Sequence, residues 1–336
     1  FKQKTAYEIV DCDWSSDVCS SDLGMLGSNE RDHAWMDEGI NSFNELRYIR
    51  TKYPNSKLGS SLGLDSTHLF GLNRLENALQ YYFIYGKNAR ENKDQEIETG
   101  SAEFTSGNYG AMVYSKTAIV FDYLFHYMGE NKFDEAMQFY FQNYLFKHPE
   151  PADLQKTFEF FSGKDLGWLF KDFIQSSKKL DYKIKKIKED PENGTEILIK
   201  NKGKINGPVL IGEISNEKTK SLIWFEGFEG EKWLNVPSIS KGIIQIDPLL
   251  CMPEINRKNN RIRVHGLFKK IEPLELKLGG GIEYPKKNSL YWLPIAGYNT
   301  HNGVMAGLYL HNYLFLRSEE HTSELQSQST ISYAVF

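Results

Sequence analysis

The chain has 336 residues and carries 40 Lys and Arg against 44 Asp and Glu, a formal charge of −4. That balance offers no strong field for nucleic acid, acidic substrates or a membrane surface. No run of eighteen apolar residues occurs, so no membrane-spanning helix is expected.

Both termini read as foreign to the rest. One permitted codon choice for Asp13–Leu23 (DWSSDVCSSDL) has a complementary strand that encodes Arg317–Ser327 (RSEEHTSELQS). Ile331–Phe336 stands in the same relation to Lys4–Ile9. The two ends resemble the translation of a sequencing-library adapter, so residues 1–23 and 317–336 are set aside as tags and scars are. The ends hold three Lys or Arg and eight Asp or Glu, so residues 24–316 keep 37 cations against 36 anions, a charge of +1. Cys12 and Cys19 leave with the ends, and the remaining Cys251 says nothing about redox compartment.

Residues 24–178 read as helical. Met36, Ile40, Phe43, Leu46 and Ile49 recur at spacings of three and four, one apolar stripe of a helix. Asp32 is its expected cap and Pro54 lies just beyond its end. Glu38, Ser42 and Glu45 share another face, for which the ordinary reading is a solvated polar surface. Tyr109–Met128 and Phe133–Phe146 carry wide apolar stripes, and Lys147-His148-Pro149 marks a helix end. The segment from Ser162, with Asp165 three residues on, opens like a capping box. Gly86–Ser101 reads as a surface loop.

From 179 to 251 the period changes. YKIKKI, TEILIK, PVLIGEI, KSLIWFEGF, EKWLNV and GIIQID are short, rich in Ile and separated by Gly, Pro and Asn. Such spacing predicts a small β-sandwich. Residues 252–316 read as a basic linker, RKNNRIRV, and a β-rich tail. In the tail LELKLGGGIEY and GVMAGLYLHNYLFL alternate, with Leu308, Leu310 and Leu314 on one face and Tyr309, His311, Tyr313 and Phe315 on the other. Two readings fit this alternation: the opening of an outer-membrane-type barrel, or an ordinary antiparallel sheet. The commoner soluble sheet is favoured, and membrane association through the tail stays open. An exported, envelope-located parent fits a sandwich followed by such a tail.

The wording Trp35-Met-Asp-Glu-Gly-Ile-Asn-Ser-Phe-Asn-Glu45 resembles the Trp-x-Asn-Glu-Gly-Phe segment of gluzincin zinc metallopeptidases of the aminopeptidase N family. A second match is Val113-Tyr-Ser-Lys-Thr-Ala118. The stretch from Leu145 through Ile174 is similar to the closing helices of the same catalytic domain. The resemblance covers about residues 24–182 and implies an α+β fold: the mainly helical C-terminal lobe of a gluzincin catalytic domain, then the small β-sandwich and the truncated β-rich tail. It implies that Glu38 is a zinc ligand and that Tyr114 donates its hydroxyl to the oxyanion of the tetrahedral intermediate. Glu45 would accept a hydrogen bond from a liganding imidazole. Lys116 and Ala118 match the family's Lys and Ala, while Thr117 stands where the family has Gly.

In the family the Glu follows an H-E-x-x-H helix after eighteen residues, which would place His at 15 and 19 and the general base at 16. The chain has Ser15, Ser16 and Cys19. A metal pair of His33 and Glu38 is disfavoured, because positions five apart point about 140° from one another on a helix. His68, His126, His148 and His301 have no ligand spacing. The resemblance thus implies a zinc-dependent aminopeptidase as parent, acting on peptide substrates, with this polypeptide inactive as written. The alternative is a non-catalytic, peptidase-like surface or scaffold protein with a β-rich anchoring tail.

Overall fold

The computed structural model describes residues 25–58, 76–77, 79–190, 194–215, 218–236, 242–266, 269–270, 274–279, 288–299, 303–311 and 333–335. The chain divides into two compact units, one of residues 1–54 and 78–269, the other of 55–77 and 270–336. Mixed helix and sheet place it in the α+β class.

The first unit opens with a helix in three parts where the apolar stripe predicted one. These are α1 (Glu30–His33), a 3-10 turn (Ala34–Met36) and α2 (Glu38–Lys52). Asn29, not Asp32, caps the start: its side-chain oxygen accepts from the amides of Arg31 and Asp32. The 3-10 turn buries Ala34, Trp35 and Met36 completely or nearly so, and the Trp35 indole donates to Glu98. Burying a Trp with its N–H satisfied compensates for the interrupted helical ladder.

Next come α3 (Leu79–Arg90), a π-helix (Gly110–Lys116) that continues into α4 (Thr117–Met128), then α5 (Glu130–Tyr144) and α6 (Pro151–Ser162). The capping box belongs to α6, where Glu150 and Asp153 exchange the two bonds and Pro151 stands in the first turn. Ser162 instead ends α6, ahead of Gly163 at φ 67°. Asp165 accepts from the amide of Gly167 at 2.7 Å, just before a second π-helix, Trp168–Ile174. The core is aromatic: Phe43 meets Phe121, Phe125 and Phe133, and Phe158 closes on Phe121 and Phe133.

All six predicted strand segments are strands. They are β1 (Tyr182–Asp190), β2 (Gly194–Asn201), β3 (Val209–Ser215), β4 (Lys218–Phe225), β5 (Glu231–Val236) and β6 (Ile243–Ile246). The segment read as a linker is not one: Arg261–Arg263 forms β7 and pairs antiparallel with β6. Two antiparallel sheets result, ordered β1-β2-β5 and β4-β3-β6-β7. Arg257 explains why a basic stretch folds here, since it pairs with fully buried Asp247 at 3.1 Å and lies 4.7 Å above the Tyr82 ring. The helices and sheets of this unit are further tied by Arg90 donating to the Ile255 carbonyl at 2.7 Å and by Tyr182 bonding Gly207 at 2.8 Å.

The second unit contains β8 (Leu274–Leu278), β9 (Asn288–Asn299), β10 (Gly303–His311) and β11 (Tyr333–Val335), in sheet order β11-β10-β9-β8. The β9–β10 hairpin is antiparallel, but β8 lies parallel to β9, contrary to an all-antiparallel tail. Tyr333–Val335, within the segment set aside as foreign, pairs with Leu308–Leu310. Residues 1–24, and with them Ser15, Ser16 and Cys19, lie outside the described residues, as do His68, His301 and residues 312–332. Among the described residues no helix is long and apolar enough to cross a membrane.

Candidate active site around Glu38 and Tyr114

Glu38 is the first residue of α2, and Gly39 behind it explains how that helix reaches the π-helix. A Cβ built on Gly39 would stand 2.6 Å from both the Cβ of Thr117 and the carbonyl oxygen of Val113. Only glycine permits the approach. The close crossing sets Glu38 near Tyr114, close enough for its carboxylate to act on the phenol. Both are partly exposed. Burial first, and then the nearby Glu38 carboxylate, push the Tyr114 phenol well above its ordinary pKa. Tyr114 is therefore a neutral donor across the physiological range.

The π-helix has a second consequence. Tyr109 and Tyr114, five positions apart, meet edge-on with ring centroids 5.9 Å apart, because the i→i+5 bonding of a π-helix brings such residues onto one side. Phe104 lies edge-on to Tyr109 at 5.5 Å. Burial, with Glu38 next, raises the Tyr109 phenol as well. Thr117, which stands where the resemblance expects Gly, fits without disturbing this arrangement. Its hydroxyl donates to the Met112 carbonyl at 3.1 Å within the widened turn.

Lys116 is fully buried and donates to the Ser176 carbonyl at 3.1 Å. Desolvation dominates over Asp94 and brings its pKa down to about 7. The amine thus anchors the π-helix from inside and does not face the Glu38–Tyr114 pair. Glu45, two turns along α2 from Glu38, is exposed and accepts the Tyr81 hydroxyl at 2.8 Å. Tyr81 comes from α3, which the apolar spacing did not single out.

His33 lies between two carboxylates, with Nδ1 2.7 Å from Glu98 and Nε2 3.2 Å from Glu150. Both ring nitrogens face carboxylates other than that of Glu38. His126 sits on Asp122 at 3.4 Å and His148 on the Gly27 carbonyl at 2.7 Å. Among the described residues no group of three or more His, Cys, Asp or Glu is arranged to hold a metal ion. A useful zinc site needs several preorganised donors. Glu38 and its described neighbours offer one carboxylate and no imidazole. By themselves they do not fit zinc.

Residues 26–173 match the family described as peptidase family M1 domain. The matched stretch contains Trp35–Glu45, Val113–Ala118 and the closing helices, and it is similar to the domain of that peptidase family. No curated protein matches. Among solved structures, Legionella pneumophila aminopeptidase A, crystallised with aspartic acid, is 18% identical with a TM-score of 0.46. The match covers 66% of this chain and 24% of that one, so the chain spans about a quarter of that protein's length.

Proposed function

We propose that this chain is a fragment of a zinc-dependent aminopeptidase in which Glu38 is the carboxylate ligand and Tyr114 the donor to the developing oxyanion. The observation that carries this reading is the close crossing at Gly39, Val113 and Thr117, which brings Glu38 near Tyr114 inside the M1-matched stretch. A metal-binding carboxylate and an oxyanion donor must serve the same reacting carbonyl, so they must stand within one side chain of each other. With its phenol held protonated, Tyr114 can donate but not act as a base at neutral pH. Glu45 is proposed to orient an imidazole ligand of the intact parent, its carboxylate being exposed on the same helix face as Glu38. Zinc and peptide substrates are proposed for that parent.

The polypeptide as given is proposed to be inactive, because Ser15, Ser16 and Cys19 occupy the positions of two imidazoles and the general base. The test is zinc content and aminopeptidase turnover, measured on this chain and on the intact parent. Zinc and turnover in the parent, with neither in this chain, support the reading. A parent that binds no zinc and hydrolyses nothing supports the alternative, a non-catalytic peptidase-like surface or scaffold protein.

A further inference from the structure

The sheet of the second unit has its faces arranged contrary to what water requires. Strand register fixes which residues share a face. Leu276 pairs with Leu290 and Leu278 with Trp292. Across the hairpin, Ala306 pairs with Ala296, Leu308 with Pro294 and Leu310 with Trp292. One face therefore carries the three leucines of β8, alternate β9 residues from Leu290 to Tyr298, and Ala306, Leu308 and Leu310 of β10. Every one of these is apolar or aromatic. Leu274, Leu276, Leu278 and Tyr298 are 67%, 61%, 62% and 73% exposed.

The opposite face is mixed: Leu293, Ile295 and Tyr309 share it with the charged and polar groups. Glu275 and Lys277 pair at 3.1 Å. His311 bonds the Gly279 carbonyl at 3.0 Å and its ring lies 5.4 Å from that of Tyr291. Tyr291 and His311 are 1% and 0% exposed. A sheet with one face in water turns its apolar residues inward. Here leucines face outward while an ion pair and a histidine face inward, the arrangement a sheet adopts when its surroundings are hydrocarbon.

Length and flanks agree. β9 has 12 residues, about 40 Å along the strand. At the tilt of roughly 45° usual for membrane strands it rises about 28 Å, close to the thickness of a bilayer core. Exposed Tyr298 stands at the hairpin end of β9, where an aromatic suits a headgroup region.

We propose that the apolar face of the β8–β10 sheet contacts the hydrocarbon of a lipid membrane, with the Glu275–Lys277–His311 face turned away from lipid. β8 runs parallel to β9, whereas neighbouring strands of membrane barrels alternate in direction. The assignment is therefore of a lipid-facing surface and not of a closed ring. It does not depend on the peptidase reading.

The test is flotation of the full chain with vesicles of phosphatidylethanolamine and phosphatidylglycerol, followed by washes in high salt and in alkaline carbonate. The chain is expected to float and to resist both washes. Leu276→Arg with Leu308→Arg is expected to lower the vesicle-bound fraction roughly 30-fold or more, while Lys277→Gln on the opposite face leaves it unchanged. Release by salt, or recovery below the vesicles as a soluble monomer or dimer, overturns the proposal. A nitroxide on Leu276→Cys provides a readout that needs no charged substitution. Relaxation by oxygen in preference to a nickel chelate supports lipid contact, and the reverse order contradicts it.

Discussion

Gly39 and Thr117 are in contact across the crossing of α2 and the start of α4, at a separation that leaves no room for a side chain on Gly39. Glu38 precedes Gly39, and Tyr114 lies three residues before Thr117, so this contact sets the distance between the two candidate functional groups. Gly39→Ala is expected to destabilise the fold by about 1–3 kcal/mol, the usual cost of overpacking. Thermal denaturation reads the loss. Adding Thr117→Gly removes the side-chain clash but leaves the Val113 carbonyl, so recovery is expected to be partial. Full stability of Gly39→Ala would show that the crossing is looser than described.

Tyr114→Phe separates two roles. In this chain it removes a partly exposed hydroxyl near Glu38, and stability is expected to change by about 1 kcal/mol or less. In the intact parent the same change is expected to reduce turnover about 10²–10³-fold, the usual cost of losing one oxyanion donor, with zinc content unaltered. Retained turnover would remove Tyr114 from the proposed mechanism.

Lys116 makes stability depend on pH in a direction opposite to a surface lysine pair. Its folded pKa, brought down to about 7 by burial, lies below the ordinary lysine value of about 10.4 that the unfolded chain has. Between those values the unfolded state binds the extra proton, so stability rises with pH across that window. Lys116→Met is expected to be favoured relative to the parent chain most strongly below about pH 7, with its advantage shrinking steadily towards pH 10. Denaturant titrations of both proteins across that range give the difference. A pH-independent difference would mean that the amine stays protonated in the fold.

Asp122 is a second buried titration site. It is almost fully buried and pairs with Arg50 and His126. Burial opposes its charge, but His126 and Arg50 outweigh burial and hold its pKa below the usual range. Burial likewise lowers and Asp122 more than restores the pKa of His126, which ends above its ordinary value. The carboxylate's contribution is present above the ordinary Asp pKa and lost as pH falls through its folded value. The imidazolium's contribution is present below the ordinary His pKa and lost as pH rises through its own folded value. Asp122→Asn leaves Arg50 without its charge partner and is expected to cost about 3–5 kcal/mol. Chemical denaturation at neutral pH measures it, and a cost under about 1 kcal/mol would mean that water replaces the carboxylate.

Much of this was legible in the residues. Apolar spacing located α2, α4 and α5, and the change to short Ile-rich runs located β1 to β6. What spacing could not show was where tertiary contacts override it. The break at Ala34–Met36 exists because Trp35 must reach Glu98, a partner 63 positions away. The π-helix at Gly110–Lys116 has α-like apolar content, and its wider turn is supported by the Thr117 hydroxyl and the buried Lys116 amine. Helix α3 and its tyrosines carry a polar tail, KNAR, that reads as loop, and the basic stretch leading into β7 folds because Arg257 answers the buried Asp247. Of the candidate site, Glu38 and Tyr114 were found through the resemblance. Tyr109 was missed because five-residue spacing points away on an α-helix and inward only on a π-helix.

The most direct measurement is a long read of the source DNA across the codons for residues 1 to 40. An H-E-x-x-H sequence is expected there, its second His codon standing where Cys19 is now encoded, which would return to Glu38 its two imidazole partners. Genomic DNA that encodes DWSSDVCSSDL at that place would contradict that expectation, and leave Glu38 and Tyr114 as neighbours without a metal to serve.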